Sequence, residues 1–331
     1  MKDKTIAIEE KFLSPFAQKS SSSIGRLTFE EECPMRTPFQ RDRDRIIHCK
    51  SFRRLKNKTQ VFFSPEGDHY RTRLTHTLNV SQVARSIARA LSLNEDLTEA
   101  IALGHDLGHT PFGHAGERIL ARLNPNGFKH NVQSGRVVDF LENDGKGLNL
   151  TREVVDGIIN HKISSTPKTL EGKAVSNADR IAYINHDIDD AIEGGFITLN
   201  DIPKRLIDVL GKTSSERINK MIYSIYIESD GKNKVEMQSD ISEATLELRK
   251  YLFDNVYGAE KFVAEEARAD RMITALYELY AKKPEFMPEF YISVMEKEGK
   301  ETAICDYISG MSDTFAVKEF NRLFTPKKWE L

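Results

Sequence analysis

Three histidines and two carboxylates fall between Gly104 and Glu117, in the run GHDLGHTPFGHAGE, punctuated by four glycines and Pro111. A lone His-Asp pair means little, and the chain has a second at His186-Asp187. The clustering is what singles this run out. His105 and Asp106 end an apolar stretch, Ala100 to Leu103, which places them at a buried or cleft-facing helix end. An unpaired carboxylate there is costly unless a cation or hydrogen bonds satisfy it. His76, in RLTHTLNV, and Asp179, in NADRIAYINHDIDD, complete a set of four. Imidazole nitrogen and carboxylate oxygen together suit a borderline-to-hard divalent ion, Mg, Mn or another of the first row. Two neutral histidines and two aspartates neutralise such an ion. They leave positions for water and a phosphate oxygen, as hydrolytic chemistry needs.

Asp179, Tyr183 and Asp187 are spaced i, i+4, i+8 and share one helix face. One reading is a wall of the site carrying a carboxylate, an aromatic ring and a second carboxylate. The other is an exposed acidic face, since Asp187, Asp189 and Asp190 cluster; spacing alone does not choose. Between Arg36 and Lys58 nine basic residues meet only Asp42 and Asp44. That run is either a solvated face with Arg-Asp pairing or a local anion-binding surface.

Helices must position these groups. Leu78, Val80, Val83, Ala84 and Ile87 recur at helical steps, and Leu97 to Leu103 continues as a second helix. Val137 to Leu141, and then Val154, Ile158 and Ile159, suggest two more. Ile181, Ile184, Ile188 and Ala191 form a further stripe that Gly194-Gly195 stops. Thr59 to Arg71, TQVFFSPEGDHYR, has β-prone residues around a turn and predicts a small hairpin. Ser20 to Gly25 reads as a flexible or surface-draped arm, and Asp230 to Lys234 as a polar turn at a boundary. The expectation is an all-α fold with a small β-hairpin insert. It divides into an N-terminal arm (1–35), a site-bearing domain (36–230) and a helical C-terminal extension packed on that domain (231–331).

The chain of 331 residues carries 48 Lys+Arg and 50 Asp+Glu, a formal charge of -2. That balance excludes a globally basic nucleic-acid coat and an acidic disordered tail. No stretch approaches the ~20 apolar residues of a membrane helix. Met1 to Glu10 has no apolar run, which predicts no signal peptide. The cysteines, Cys33, Cys49 and Cys305, are odd in number and far apart, so a reducing cytoplasm is expected.

Together these segments resemble the HD-superfamily deoxynucleoside triphosphate triphosphohydrolases, specifically the bacterial deoxyguanosine triphosphate triphosphohydrolase-like proteins. The resemblance runs almost end to end. Its segments are Arg36 to Phe62, Gly67 to Leu91, Leu93 to Glu117, Asn177 to Ile192 and Asp306 to Phe320. It implies an HD-domain helical fold and His76, His105, Asp106 and Asp179 as ligands of a divalent metal. It implies His114 and Glu117 as a catalytic His-acid pair, the i, i+3 spacing letting the carboxylate orient the imidazole, and His109 as a further active-site residue. Arg73 and Arg180 resemble cationic contacts to substrate phosphate or base. Gln60, Tyr183 and Asp187 resemble the group that reads the deoxyribose, excluding a 2′-OH. The implied reaction is hydrolysis of a dNTP, dGTP or several, to deoxynucleoside and inorganic triphosphate. Water attacks the α-phosphorus, with His114 and Glu117 as the acid/base pair. The resemblance also implies a homo-oligomer, often a hexamer, with a nucleotide or single-stranded DNA as effector.

There are departures. Val132, in HNVQS, stands where many relatives carry Glu, leaving any polar role there to Asn131 or Gln133. Arg180 stands where relatives vary. Arg268 and Arg271 are the candidate phosphate contacts of the C-terminal third. His48 and His161 sit beside apolar residues and read as structural, the resemblance implies that His130 lies near the site without giving it a role, and Trp329 reads as a tail anchor. Two other classes of function fit the same residues. One is an HD-type 5′-nucleotidase or other nucleotide phosphohydrolase; the other is a non-catalytic dNTP- or single-strand-binding module.

Overall fold

A computed structural model describes residues 1–60, 71–256 and 260–326. The architecture is all-α: helices joined by short turns, with two isolated β-bridges and no sheet among the described residues. The body of the expected hairpin, 61–70, and Trp329 lie outside the described residues. Thr59 and Thr72, at the two ends of that segment, are joined by an antiparallel bridge.

The site-bearing helices begin where polar side chains cap them. Thr72 caps Arg73–Ala90. Asn94 caps Glu95–Gly104, its side chain accepting from the Leu97 amide at 3.2 Å. Thr169 caps Leu170–Glu193 in the same way, at 3.1 Å from the Gly172 amide. Each cap satisfies a backbone donor that a helix start leaves free, worth about 1 kcal/mol. Gly194 and Gly195 end the long helix, as the sequence predicts. Val137 to Leu141 differs from expectation: it is a π-helical turn continuing the short His130–Arg136 helix.

Two apolar clusters hold the molecule. The first takes side chains from Phe39 to Val256 and is built on the Arg73–Ala90, Glu95–Gly104 and Leu170–Glu193 helices packed on one another. The second gathers on the Glu260–Lys282 helix, whose Ile273, Leu276 and Tyr280 share a cluster with Ile119 and Leu120 of Gly113–Leu123 and with Ile304 and Ile308 of Lys300–Ser309. The His105–His114 segment runs between the two.

The N-terminal arm drapes over the first cluster, pinned at intervals by buried carboxylates. Glu9 accepts from the Ser20 amide and hydroxyl, both at 2.7 Å. Glu153 accepts from the Ile24 amide at 2.5 Å. Asp42 pairs with Arg26 at 2.5 Å. Glu171, fully buried, accepts from the Gln18 and Asn94 amides, each at 3.0 Å, while its second oxygen has no partner among the described residues. Burial, opposed by those amides and reinforced by Glu9, pushes the Glu171 carboxyl up from 4.5 to about 7. Folding therefore takes up a proton between those values, and stability falls as pH rises through about 7. Glu171→Gln keeps the accepting oxygen and removes the buried charge. Relative to wild type, its melting temperature is expected to rise between about pH 5 and about pH 8, for up to roughly 3 kcal/mol. Parallel melting curves across that range would refute this.

Most of the Arg36–Lys58 basic run is paired within the chain. Arg36 pairs with Asp44, Arg41 and Arg45 with Glu30, and Arg43 with Asp44, Asp96 and Glu99. Arg53 and Arg54 donate to the His48 and Gly310 carbonyls. Internal pairing, rather than an open anion-binding surface, accounts for these residues. No helix among the described residues is long and apolar enough to cross a membrane.

Candidate active site

His76 lies on the first turn of Arg73–Ala90, Asp179 lies midway along Leu170–Glu193, and His105 and Asp106 follow the end of Glu95–Gly104. Packing of the three helices brings the four side chains together. His76 Nε2 is 3.2 Å from Asp179 Oδ1 and 3.9 Å from Asp106 Oδ2. His105 Nε2 is 3.4 Å from Asp106 Oδ2 and 3.8 Å from Asp179 Oδ1. Bonds of about 2.0–2.2 Å to a common ion separate neighbouring donors by about 3.0–3.5 Å, so this spacing fits a coordination shell. His105 Nε2 is buried with no hydrogen-bond partner among the described residues, while Nδ1 is fixed on the Ala102 carbonyl at 2.6 Å. Burial lowers the His105 pKa, but Asp106 and then Asp179 outweigh it and hold it at about 9. The two carboxylates thus draw positive charge to that nitrogen, and a divalent ion can take the place of the proton. The residues present fit a divalent metal.

The turn after His105-Asp106 is built by close backbone approach. A Cβ on Gly108 would come within 2.2 Å of the Ser134 amide nitrogen. Ser134 Oγ accepts from the Gly108 amide and donates to the His105 carbonyl, at 2.9 and 2.7 Å. Phe112 and Gly113 both adopt left-handed backbone, φ 62° and 55°, just before His114. For Phe112 that conformation is strained, and one carboxylate holds it. Asp313 accepts from the Phe112 amide at 3.0 Å through one oxygen. Through the other it accepts from the Thr59 amide and hydroxyl at 2.8 and 2.5 Å. Buried Lys58 adds bonds to the His109 and Ser309 carbonyls at 2.5 and 2.8 Å. Asp313→Ala is expected to speed amide exchange in segments 58–60 and 108–114 and to lower turnover with metal content intact. Unchanged exchange there would show that other contacts hold the turn.

The residues expected around the metal set are placed as follows. His109 is buried, its Nε2 3.6 Å from Asp106 Oδ1. The ligand atoms of His109, His114 and Glu117 lie within 4.8 Å of one another. The hydrogen bonds of Glu117 go to His130: its carboxylate accepts from the His130 amide at 3.0 Å and meets ring Nδ1 at 2.8 Å. The His130 ring stacks on His109 at 4.0 Å, and His114 stands edge-on to His109 at 5.5 Å. Glu117 thus makes its hydrogen bonds to His130 rather than to His114, although its carboxylate lies within 4.8 Å of a His114 ring nitrogen. His114 is open to solvent at the mouth. Crowding by the cleft walls, then the charges of Arg73 and His130, hold its pKa below the usual imidazole range.

Arg73 is 1% exposed; it donates to Asp106 at 2.6 Å and to the Thr59 and Gln60 carbonyls. Gln60 is buried beside Gly113, with no partner for Oε1 among the described residues. Arg180, Tyr183 and Asp187 continue along the helix that carries Asp179. Arg180 is buried against Asn177 and Met237. Asp187 and Asp190 are buried, and Asp190 pairs with Arg71, which overturns the exposed-acidic-face reading. Val132 faces solvent, while Asn131 and Gln133 bond the Ile159 carbonyl and Asp306.

Sequence reasoning left His130 near the site without a role and missed His161 and His186. Seven of the nine histidines form one connected cluster, and His130, His161 and His186 are among them. His161 Nε2 meets His130 Nε2 at 3.3 Å, and its ring is 5.0 Å from His105. His186 stands 5.8 Å from His76. The signal available was the His-Asn-x-Gln-Ser run at His130; nothing local marks His161.

Comparison with known proteins places this site in a class. The HD domain family matches residues 73–184, and the phosphohydrolase-associated domain matches 235–322. A phosphohydrolase from Bacteroides thetaiotaomicron shares the fold, with TM-score 0.53 and 18% identity over 83% of this chain and 66% of that one. The chain is an HD-domain hydrolase. A deoxyguanosinetriphosphate triphosphohydrolase-like protein of Caldanaerobacter subterraneus is 55% identical, covering 98% of this chain and 96% of its own. Proteins of the same description from Clostridium perfringens and Geobacter sulfurreducens are 49% and 40% identical, each aligned over at least 95% of both chains. The chain belongs to the deoxyguanosinetriphosphate triphosphohydrolase-like family.

Proposed function

We propose that the protein hydrolyses a deoxynucleoside triphosphate, dGTP or several, to deoxynucleoside and inorganic triphosphate. What supports this most is one juxtaposition: a four-donor metal site, His76, His105, Asp106 and Asp179, beside His109 and His114. The relatives' description as deoxyguanosinetriphosphate triphosphohydrolase-like adds the substrate class. A divalent ion in that site supplies Lewis-acid polarisation of a phosphoryl oxygen and of water. The remaining work falls to the chain's own groups. A nucleoside 5′-alkoxide leaves poorly, so a general acid is needed, and His114 is the accessible imidazole next to the metal set. A triphosphate brings roughly four negative charges, which oppose the Arg73 and His130 charges that depress His114 and favour its protonated form. Glu117, within 4.8 Å of a His114 ring nitrogen, adds a negative charge that favours the protonated imidazole. Tyr183 and Asp187, one and two turns beyond Asp179, serve as the wall for the deoxyribose, with Gln60 and Arg180 as further polar contacts.

The same reading divides the chain into an arm (1–35), a catalytic region (36–230) and a C-terminal extension (231–331) that completes it. It includes homo-oligomeric assembly, a nucleotide or single-stranded DNA effector, and a cytoplasmic location. The test is product identification by phosphorus NMR for each of the four dNTPs, with Mg²⁺ or Mn²⁺ and with a second nucleotide present. Inorganic triphosphate is expected. Orthophosphate would replace this reading with a nucleotidase. Salt-sensitive DNA binding without turnover would replace it with a binding module.

A further inference from the structure

Lys162 directly follows His161, whose ring is 5.0 Å from His105 and whose Nε2 meets His130 Nε2 at 3.3 Å. The chain leaves the buried histidine cluster at this point, and the Lys162 side chain is 32% exposed. Its ammonium lies 3.5 Å from Glu117 Oε1. Charge-assisted bonds between an ammonium and a carboxylate close to about 2.7–2.9 Å, so this pair is long. Glu117 does not depend on it. The same Oε1 accepts from the His130 amide at 3.0 Å, and Oε2 meets the His130 ring at 2.8 Å. Burial raises the Glu117 carboxyl, but the hydrogen bonds and charge of His130 outweigh it and hold it at about 2; Lys162 contributes less. A long, partly exposed ion pair adds little to stability, and its lysine can exchange the carboxylate for a stronger anion. The flexible stem and three donors of lysine suit it to that exchange.

Other cations at the site are held in place. Arg73 is 1% exposed and donates to Asp106 and two carbonyls. Lys58 is buried on the His109 and Ser309 carbonyls. Arg71 pairs with Asp190. Lys162 has the freedom these lack. Glu117 shares with His109 and His114 a group whose ligand atoms lie within 4.8 Å of one another, so Lys162 borders the recess where the acid stands. A polyanion arriving there meets the Glu117 carboxylate, which repels it. Lys162 is the only lysine or arginine within 4.0 Å of that carboxylate among the described residues.

We propose that Lys162 is a substrate-contacting residue, which leaves Glu117 when nucleotide binds and pairs with a phosphoryl oxygen of the triphosphate. In the free protein it offsets the Glu117 charge at the mouth. In the complex the ammonium swings on its own side-chain bonds, and the Glu117–His130 hydrogen bonds stay as they are. The inference rests on the triphosphohydrolase reading for the identity of the polyanion, and the test separates the two claims.

The two products of that reaction are the probes: tripolyphosphate, which carries the charge, and deoxyguanosine, which carries none. Binding of each is measured by calorimetry with Mg²⁺ in excess, for wild type, Lys162→Met and Lys162→Arg. Lys162→Met is expected to weaken tripolyphosphate about tenfold and to leave deoxyguanosine within about twofold. Lys162→Arg is expected to restore most of the loss. For dGTP, kcat/KM of Lys162→Met should fall by a similar factor, carried by KM. Unchanged tripolyphosphate affinity overturns the proposal. So does an equal loss for deoxyguanosine, or a loss in dGTP turnover carried by kcat, either of which makes Lys162 a support of the Glu117–His130 pair. Tripolyphosphate weakened by Lys162→Met, in a protein whose wild type releases orthophosphate from dGTP, keeps the contact and overturns the triphosphohydrolase reading. Inorganic triphosphate released by wild type, with tripolyphosphate affinity unchanged in the variant, overturns the contact alone. Should Lys162→Met fail to fold by circular dichroism, Lys162→Gln is read in the same way.

Discussion

Asp106→Ala is expected to remove bound metal and hydrolysis together and to destabilise the fold by about 3–5 kcal/mol. Both losses have one cause. Asp106 is a proposed metal ligand, and it is also the sole charged partner of Arg73 among the described residues, at 2.6 Å, with Arg73 1% exposed. Burial works against an ionised Asp106, yet His105 and then Arg73 hold its pKa well below the ordinary value. Truncation leaves a buried guanidinium with two backbone carbonyls and no counter-charge. The two losses come apart in the double variant Asp106→Ala/Arg73→Met. Thermal denaturation should recover most of the lost stability, while metal content and turnover stay absent. If the single variant melts like the wild type, the Arg73–Asp106 pair is not the keystone it is taken to be. If it retains metal, Asp106 is not a ligand.

His114→Ala is expected to lower turnover about 10²- to 10⁴-fold, the usual contribution of a positioned proton donor. Metal content and melting temperature should not move. His114 is solvent-accessible at the mouth and lies outside the His76/His105/Asp106/Asp179 group. The contrast with Asp106→Ala is the useful part. One variant empties the metal site and loosens the fold; the other is a folded, metal-loaded protein that does not turn over. Turnover equal to wild type would end the assignment of His114 as the acid.

The parts of this molecule that could be read from the sequence are those whose meaning is local. The helix periods and the stop at Gly194-Gly195 each lie within a few residues of what they control. His105-Asp106 stood out because its neighbours are unusual in type. His161 did not, because its neighbours, IINHKIS, are ordinary; what makes it a site residue is His130, on another helix, reached only by folding. Glu117 shows the same limit. Its i, i+3 neighbour on the helix is His114, and local spacing points there. Its hydrogen bonds go instead to a histidine thirteen positions on. The basic run at Arg36–Lys58 could be read either as paired or as an open anion-binding surface because its partners Glu30, Asp96 and Glu99 lie outside it.

The left-handed turn before His114 hangs from Asp313, and Lys58 is tied to the carbonyl of Ser309. Every histidine and carboxylate proposed for chemistry precedes residue 190, so a ribosome has made the complete set of reacting groups long before it makes their support. Until the last helix is added, a nascent or prematurely terminated chain carries the whole inventory without the turn that aims it. Activity should therefore switch on late in synthesis, and a truncation near residue 300 should be inert despite an intact list of active-site residues.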